Sequence, residues 1–457
     1  MDEKNVDSQD SQRVAAWRVA AWRVAAWRVA AWRVAAWRVA AWRVALKNFS
    51  SQWFLIPQGT GILAVILHNL HYQFRGLDHI SQIFWVITIA TLASFLVIYL
   101  LRVVFFLRHV AHEISQNSME TACLSSISIA FTTIYIMIVL NLLPWGRGWG
   151  MAAYVMYWVN VVMAATACIG IPYVFTKLEG PGIDEISPAV FLPLIAALTL
   201  AAGGGVTCQY SQLGANLQVP VIILSYLFVG MPLPLSVAFD GMFLVRLFDK
   251  AVPRQQKVYQ LMIICGPPGQ ASFALQMLGT CVKSGAFATY DTSSFIGHSS
   301  ASAIGTTSQV LGLVYWGYAT FWWAFASIAV LHDTISSPKT VLRWDQSLTA
   351  WSLVFPWGVY TNAAVQLGVT LNSRAFWIWQ TVLALLLVII WLGNAFATIV
   401  GLGTGAVIGL NKGWAGHYHT SNGEAVAALP RSRWTTRKRW MAARERHSRA
   451  NSYVRQR

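Results

Sequence analysis

The chain has 457 residues and a formal net charge of +16, yet 56% of its residues are hydrophobic and only 11% are charged. The charge lies at the two ends: residues 1–47 carry +5, residues 411–457 carry +9, and the long middle part carries only +2. This distribution excludes nucleic acid as a partner of the folded body. It favours a nearly neutral membrane protein with two basic arms on the anionic, cytoplasmic face of the lipid bilayer.

Residues 1–48 form the first predicted region, an N-terminal arm. The pentapeptide RVAAW occurs six times in succession from Arg13 to Trp42. Successive repeats rotate by about 140° around a helix, so no face stays apolar, and an Arg in every repeat opposes a membrane span. Two interpretations stay open: a tandem duplication tolerated on a solvated tail, or a Trp/Arg-rich segment that lies on the inner leaflet.

Long runs without charged residues predict the second region, a transmembrane domain over residues 49–410. A membrane helix needs about 20 mostly apolar residues, and the continuous runs favour helices over a barrel, whose strands would alternate. The fold class is therefore all-α integral membrane, with about ten transmembrane helices. They are expected at 50–68, 82–104, 121–143, 149–173, 187–206, 219–243, 258–281, 308–331, 347–369 and 375–400.

An even number of spans places both termini on one side of the membrane. With the termini in the cytoplasm, the inside loops hold nine Lys and Arg residues and the outside loops hold four. This bias agrees with the positive-inside rule. The third region, a basic C-terminal tail over residues 411–457 without a hydrophobic core of its own, is then cytoplasmic and expected to be disordered.

The sequence predicts no enzyme, metal or cofactor. It lacks a phosphate-binding loop, and the H-x-x-H of His109 and His112, beside Glu113, has no second or third box of a membrane di-iron oxidase. Asp240, with Arg246 six residues later, is expected to mark a helix end at the cytoplasmic interface. A proton-coupling carboxylate is the alternative for Asp240.

Glycine and proline residues concentrate in the odd-numbered spans. A freed backbone group in lipid is tolerated only where it is buried or lines a watery cavity, and a broken helix offers N–H groups to an anion. We therefore predict pore-lining helix breaks, while close helix packing stays open as the alternative. The residues are Pro57, Gly59, Gly61, Gly203, Gly204, Gly205, Pro267, Pro268, Gly269, Pro356 and Gly358.

Uncharged polar side chains accompany these breaks and could replace part of the hydration shell of an anion. The predicted pore polar residues are Gln58, Thr60, Gln270, Ser272, Gln276 and Asn362. A large organic substrate would more often require charge inside the membrane, and none of the predicted spans carries a Lys or Arg in its interior. The pattern favours a small anion.

Several separate stretches resemble the tellurite-resistance/dicarboxylate transporter family, which includes fungal sulfite efflux pumps and is related to plant slow-type anion channels. The resemblance covers about residues 49–410. It is carried by WFLIPQGTGILAVILHNLHYQF, KLEGPGIDEISPAVFLPLIAALTLAAGGG, LQVPVIILSYLFVGMPLPL, GPPGQASFALQMLG and VFPWGVYTNAAVQLG.

The resemblance implies five helical hairpins around a central pore, with the odd-numbered helices inside, and a homotrimer with one pore per subunit. It implies a pore gate at Phe355, directly before Pro356, with an ordinary packed phenylalanine as the alternative. The implied activity is export of sulfite or bisulfite across the plasma membrane. The alternatives are a C4-dicarboxylate (malate) or nitrate/chloride carrier and, from another class, a membrane receptor or scaffold.

Overall fold

The computed structural model describes residues 42–177, 187–290, 293, 295–336, 347–405 and 407. Residues 1–41 of the N-terminal arm, which include the six RVAAW units except Trp42, and the whole C-terminal tail 411–457 therefore lie outside the described residues. Within the described residues the chain is helical and contains no strand. The predicted all-α class is confirmed.

Ten long helices follow one another along the described part of the chain. They are α1 (Leu55–Asn69), α2 (Leu77–Gln116), α3 (Ser126–Leu142), α4 (Gly148–Lys177), α5 (Leu192–Tyr210), α6 (Ala215–Lys250), α7 (Gly266–Cys281), α8 (His298–Ser336), α9 (Val354–Leu371) and α10 (Arg374–Gly403). The predicted division of the longest apolar run is found where α5 ends at Tyr210 and α6 begins at Ala215.

Seven helical segments are long and apolar enough to cross a membrane. They are α2, α4, α6, α8 and α10, and the segments Ser118–Trp145 and Pro188–Tyr210 that contain α3 and α5. Helices α1, α7 and α9 have 15, 16 and 18 residues. Each follows a short 3-10 segment that lengthens the element: Ser51–Phe54, Gln255–Cys265 and Trp351–Leu353. The protein is a multi-pass membrane protein, and the count of ten spans stays a prediction.

The odd-numbered helices form a closed inner ring. Helix α1 packs on α3, α3 on α5, α5 on α7, α7 on α9, and α9 returns to α1. Each even-numbered helix packs on the odd-numbered helix before it and on the one after it, so five hairpins surround one axis. The expected arrangement of hairpins is present among the described residues.

Burial separates the two sets of helices. Every residue in the most apolar window of α5 is buried, whereas 17% are buried in α2 and 22% in α8. All residues of α7 except Thr280 are buried. The even-numbered helices therefore present their apolar side chains outward, as a lipid-facing layer requires, and the odd-numbered helices are enclosed by them.

The predicted helix breaks need a correction. Helix α5 runs without interruption through Gly203–Gly205, and α1 likewise continues through Gly59 and Gly61. The break in each proline-containing inner element lies just before its prolines, where a 3-10 segment changes to an α-helix. Proline is tolerated there because the first turn of a helix has no partner for its N–H groups.

Asp240 also needs a correction. The predicted helix end is wrong, because the helical residues Pro232–Lys250 continue for ten residues beyond Asp240. The carboxylate is buried, and its Oδ2 accepts a hydrogen bond of 2.8 Å from the Tyr318 hydroxyl of α8. Asp240 thus connects the outer helices α6 and α8.

His109 and His112 lie on the last turns of α2, beyond the predicted span. Burial, and next the positive charge of Lys47, lower the pKa of His109 below its ordinary value. Among the described residues no group of three or more His, Cys, Asp or Glu side chains is placed to hold a metal ion.

Candidate anion pathway

The contacts of α1 identify the side that faces the ring axis. A Cβ on Gly59 would lie 2.9 Å from Val354 of α9, and one on Gly61 would meet Thr133 of α3. Thr60, between them, accepts a hydrogen bond of 3.1 Å from the indole N–H of Trp391 on α10. Gly59 thus points to one ring neighbour, α9, and Gly61 points to the other, α3. Thr60 points to the outer layer. Successive residues differ by about 100°, so Gln58 takes the remaining side, toward the axis.

The same argument orients α9. Gly358 packs on Ile62 of α1, with its Cβ position 2.7 Å away, and the carbonyl of Ala363 lies toward α7. The Trp357 indole donates outward to the Leu383 carbonyl of α10 at 3.1 Å. The remaining side of α9 carries Phe355 and, seven residues later, Asn362. Both side chains are buried and face the axis.

These side chains occupy two levels along the axis. Gly59 lies against Val354, so Gln58 and Phe355, their neighbours in sequence, lie at one level. Gly269 lies 3.3 Å from the Tyr360 backbone, so Gln270 of α7 and Asn362 lie at a second level. Gln270 is about 160° around α7 from Ser272, whose hydroxyl donates to the outer helix α8, and therefore faces the axis. Seven residues separate Phe355 and Asn362, which corresponds to about 10 Å at 1.5 Å per residue.

The amide groups at these levels have spare hydrogen-bonding capacity. The side-chain oxygens of Gln58, Gln270 and Asn362 are buried and have no hydrogen-bond partner among the described residues. An unpaired buried polar group costs about 1–3 kcal/mol, so it calls for a functional explanation. A half-turn of an amide exchanges its oxygen and its NH₂, which allows the same group to donate to an anion.

The other three predicted polar residues point elsewhere. Thr60 faces Trp391, as shown above. Ser272 donates to the Gly312 carbonyl of α8 at 2.6 Å, and the amide nitrogen of Gln276 bonds to Ser272 and to the Ala363 carbonyl. These side chains join the inner helices to their neighbours, and their predicted role in a pore stays a prediction.

The predicted glycines lie at close helix contacts. Gly203 meets Tyr135 and Thr132 of α3, Gly204 meets Ser225 of α6, and a Cβ on Gly205 would lie 2.9 Å from Met277 of α7. Together with Gly59, Gly61, Gly269 and Gly358 they let the helices approach closely, as the packing interpretation expects. These contacts set the rotation of the inner helices and so the positions of the axis-facing side chains. The glycines themselves have no side chain at the axis.

The ring supplies a positive potential without a charged side chain. None of the helices α1, α3, α5, α7 and α9 contains Asp, Glu, Lys or Arg. Two contacts for each pair show that α5, α7, α9 and α1 run parallel. Ile195 and Gly205 of α5 pack near Gly266 and Met277 of α7, Gly266 and Gly269 pack near Pro356 and Tyr360 of α9, and Val354 and Gly358 of α9 pack near Gly59 and Ile62 of α1. Their N-termini, which carry the positive ends of the helix dipoles, therefore lie at one end, close to Phe355.

A buried cluster of polar residues at the same end of the bundle was not predicted from the sequence. Arg102, near the end of the predicted span 82–104, lies inside α2 and forms an ion pair with Glu120. Glu120 also accepts hydrogen bonds from the Ser51 backbone N–H at 2.9 Å and from the Tyr99 hydroxyl at 3.4 Å. The only signal was the opposite charge of two residues 18 positions apart, which by itself predicts no contact.

Comparison with known proteins agrees with this architecture. Residues 48–399 match the model of the family described as voltage-dependent anion channel (SLAC1). The chain is 27% identical over 356 residues to proteins named sulfite efflux pump SSU1 from Arthroderma benhamiae and Trichophyton rubrum, covering 76% of this chain and 89% of each relative. It is 21% identical over 350 residues to a malic acid transport protein of Schizosaccharomyces pombe, covering 76% and 77%. The chain belongs to the voltage-dependent anion channel family.

Proposed function

We propose that the protein exports sulfite, as a small inorganic anion, from the cytoplasm across the plasma membrane. The observation that carries this proposal is the ring of parallel inner helices, whose axis presents unpaired amides and helix N-termini but no charged side chain. Such a wall attracts an anion without binding it too tightly to leave. The names of the relatives from Arthroderma and Trichophyton supply the choice of sulfite.

The direction of transport follows from the membrane potential. In the proposed orientation both termini are cytoplasmic, and the helix N-termini beside Phe355 face the cytoplasm. A potential negative inside drives an anion outward by about 2.3 kcal/mol per charge per 100 mV. Export then needs a gated path and no ATP, although a proton gradient could add to the driving force. The basic tails would rest on the anionic inner leaflet.

Each chain contains a complete proposed pathway, because one chain closes the ring by itself. A homotrimer would then contain three separate pathways. Removal of residues 1–46 and 411–457 should leave sulfite flux intact if the ring is the transporter. A receptor or scaffold that acts through its tails would lose its activity with the same deletion.

The substrate is tested by sulfite efflux and sulfite sensitivity in cells with and without the chain. Reconstituted vesicles then give a competition assay on radiolabelled sulfite. We expect nitrate or chloride to compete more strongly than malate, because the inner helices offer no Lys or Arg to a second carboxylate. Malate as the stronger competitor would favour the dicarboxylate alternative, to which the Schizosaccharomyces relative points.

The gate is tested at Phe355. Its side chain is almost fully buried at the axis beside the helix N-termini, so Phe355→Ala should open the path and raise anion flux in vesicles. Phe355→Leu, which keeps most of the volume, is the control and should stay near the wild-type flux. An unchanged flux in correctly folded Phe355→Ala protein would remove the gate assignment.

A further inference from the structure

Three aromatic side chains join the outer helix α8 to the inner helix α9. The Tyr360 ring lies between the indoles of Trp316 and Trp323, 5.2 Å from each, with interplanar angles of 6° and 17°. Trp316 and Trp323 are seven residues apart and thus share one face of α8. They form a slot, and Tyr360, which is fully buried, fills it.

Hydrogen bonds hold Tyr360 in this slot. Its hydroxyl lies 3.0 Å from the Thr320 hydroxyl, and its backbone carbonyl accepts a hydrogen bond of 3.3 Å from the Trp316 indole. On the neighbouring side, Gly269 of α7 packs directly on the Tyr360 backbone. Both the side chain and the main chain of this residue are therefore fixed.

Tyr360 and Phe355 lie on different sides of the same helix. Five residues separate them, which corresponds to about 140° around the helix axis. Tyr360 points outward to α8, and Phe355 points inward to the ring axis. Any rotation of α9 that carries Phe355 off the axis must therefore move the Tyr360 ring against the two indoles.

We propose that Tyr360 is a positioning residue for the Phe355 gate. The slot of Trp316 and Trp323 sets the rotation of α9 and so keeps Phe355 on the axis in the closed state. This inference rests on the proposed function, because it assumes that Phe355 blocks an anion path. It also makes α8, an outer helix with no residue on the axis, the element through which a displacement at the lipid-facing surface reaches the gate.

The test compares anion flux through vesicles containing wild type, Tyr360→Ala, Tyr360→Phe, Phe355→Ala and the Tyr360→Ala/Phe355→Ala double variant. Tyr360→Ala empties the slot and should raise flux toward the level of Phe355→Ala. Tyr360→Phe keeps the ring in the slot and should restore flux to near the wild-type level. The double variant should not exceed Phe355→Ala, because the second change acts only through Phe355.

Tyr157 provides a matched control. It is a fully buried tyrosine of α4, and its hydroxyl lies 3.0 Å from Ser225 of α6. Tyr157→Ala removes the same volume away from α9 and should not raise flux. Trp323→Leu widens the slot from the other side, and it replaces Tyr360→Ala in the comparison if that variant does not fold.

Several results would overturn the proposal. They are a wild-type flux in folded Tyr360→Ala and Trp323→Leu, an equal increase in Tyr157→Ala, or additive increases in the double variant. Failure of the proposed function looks different: no variant, including Phe355→Ala, would pass sulfite, nitrate or chloride. That result removes both proposals, whereas a normal wild-type flux with an unresponsive Tyr360 removes only this one.

Discussion

The cluster around Glu120 and the axis of the inner ring bury polar groups in opposite ways. Both carboxylate oxygens of Glu120 have partners, from Arg102, Tyr99 and the Ser51 backbone. The amide oxygens of Gln58, Gln270 and Asn362 have no partner in the part of the chain that the structure describes. Fully paired buried groups stabilise one arrangement of the chain, whereas unpaired ones remain available to a solute.

This difference indicates that two regions near the first hairpin have different roles, one in stability and one in anion flux. The Glu120 cluster connects the start of the first inner element at Ser51 with α2 at Arg102, and Arg102 also donates to the Lys47 carbonyl at 3.1 Å. It fixes the entry of the N-terminal arm into the bundle. A few residues further along the chain, Gln58 faces the axis. One region should therefore respond to mutation in stability and the other in flux.

The largest effect is expected at Glu120. Glu120→Gln leaves the buried guanidinium of Arg102 without its counter-charge, and breaking a buried ion pair costs about 3–5 kcal/mol. Thermal unfolding of the detergent-purified protein should show a strongly lowered Tm. The double variant Arg102→Met/Glu120→Gln, which removes both charges, should recover part of the loss. Equal destabilisation by the single and double variants would contradict the pairing.

A smaller loss is expected at the glycines between inner helices. Gly61→Ala places a methyl group against Thr133, where overpacking costs about 1–3 kcal/mol. Gly393→Ala in α10 is the control, because a Cβ there meets none of the described residues within 4 Å. The control should unfold at or slightly above the wild-type Tm. If Gly61→Ala were equally stable, the close approach of α1 and α3 would not hold.

The smallest change in stability is expected at the axis, where flux should change instead. Gln58→Leu removes an unpaired amide, so Tm should stay close to wild type while sulfite flux falls, by about tenfold if one hydrogen bond to the anion of roughly 1.4 kcal/mol is lost. Thr60→Val, two residues further along α1 and facing α10, is the control and should keep its flux. If Gln58→Leu showed a large fall in Tm with normal flux, the amide would be a structural group. The difference between the Glu120 cluster and the ring axis would then not hold.

Much of the fold could be predicted because lipid restricts the backbone so strongly. Charge-free runs located the helices, including the turn between α5 and α6. The prolines of α1, α5, α7 and α9 were predicted as breaks inside the spans, but they lie in the first turn of each α-helix, where the missing N–H is tolerated. The helix break predicted at Gly203–Gly205 is not found, because glycine in a membrane helix serves close packing at least as often as it breaks a helix.

The candidate site was only partly predictable. Helix geometry puts Gln58 and Asn362 on the side of the ring axis, where their role in a pore stays a prediction, but Thr60, next to Gly59, faces the outer layer. Successive residues of a helix differ by about 100°, so residues close in sequence face different elements. Hydropathy does not distinguish the sides of a helix that is buried all around. The Trp316 and Trp323 slot for Tyr360 was missed because a seven-residue spacing of tryptophans fits a lipid-facing helix just as well.

The sequence by itself determined that this is a helical membrane protein with its positive charge on two tails and almost none in the membrane, because each charged residue in lipid carries a high energetic cost. Only the tertiary structure decided which uncharged residues meet at the axis and which charges pair. Arg102 and Glu120 are distinguishable from loop residues only through their contact. The rotation of each inner helix depends on close contacts with its neighbours, and no single helix encodes it.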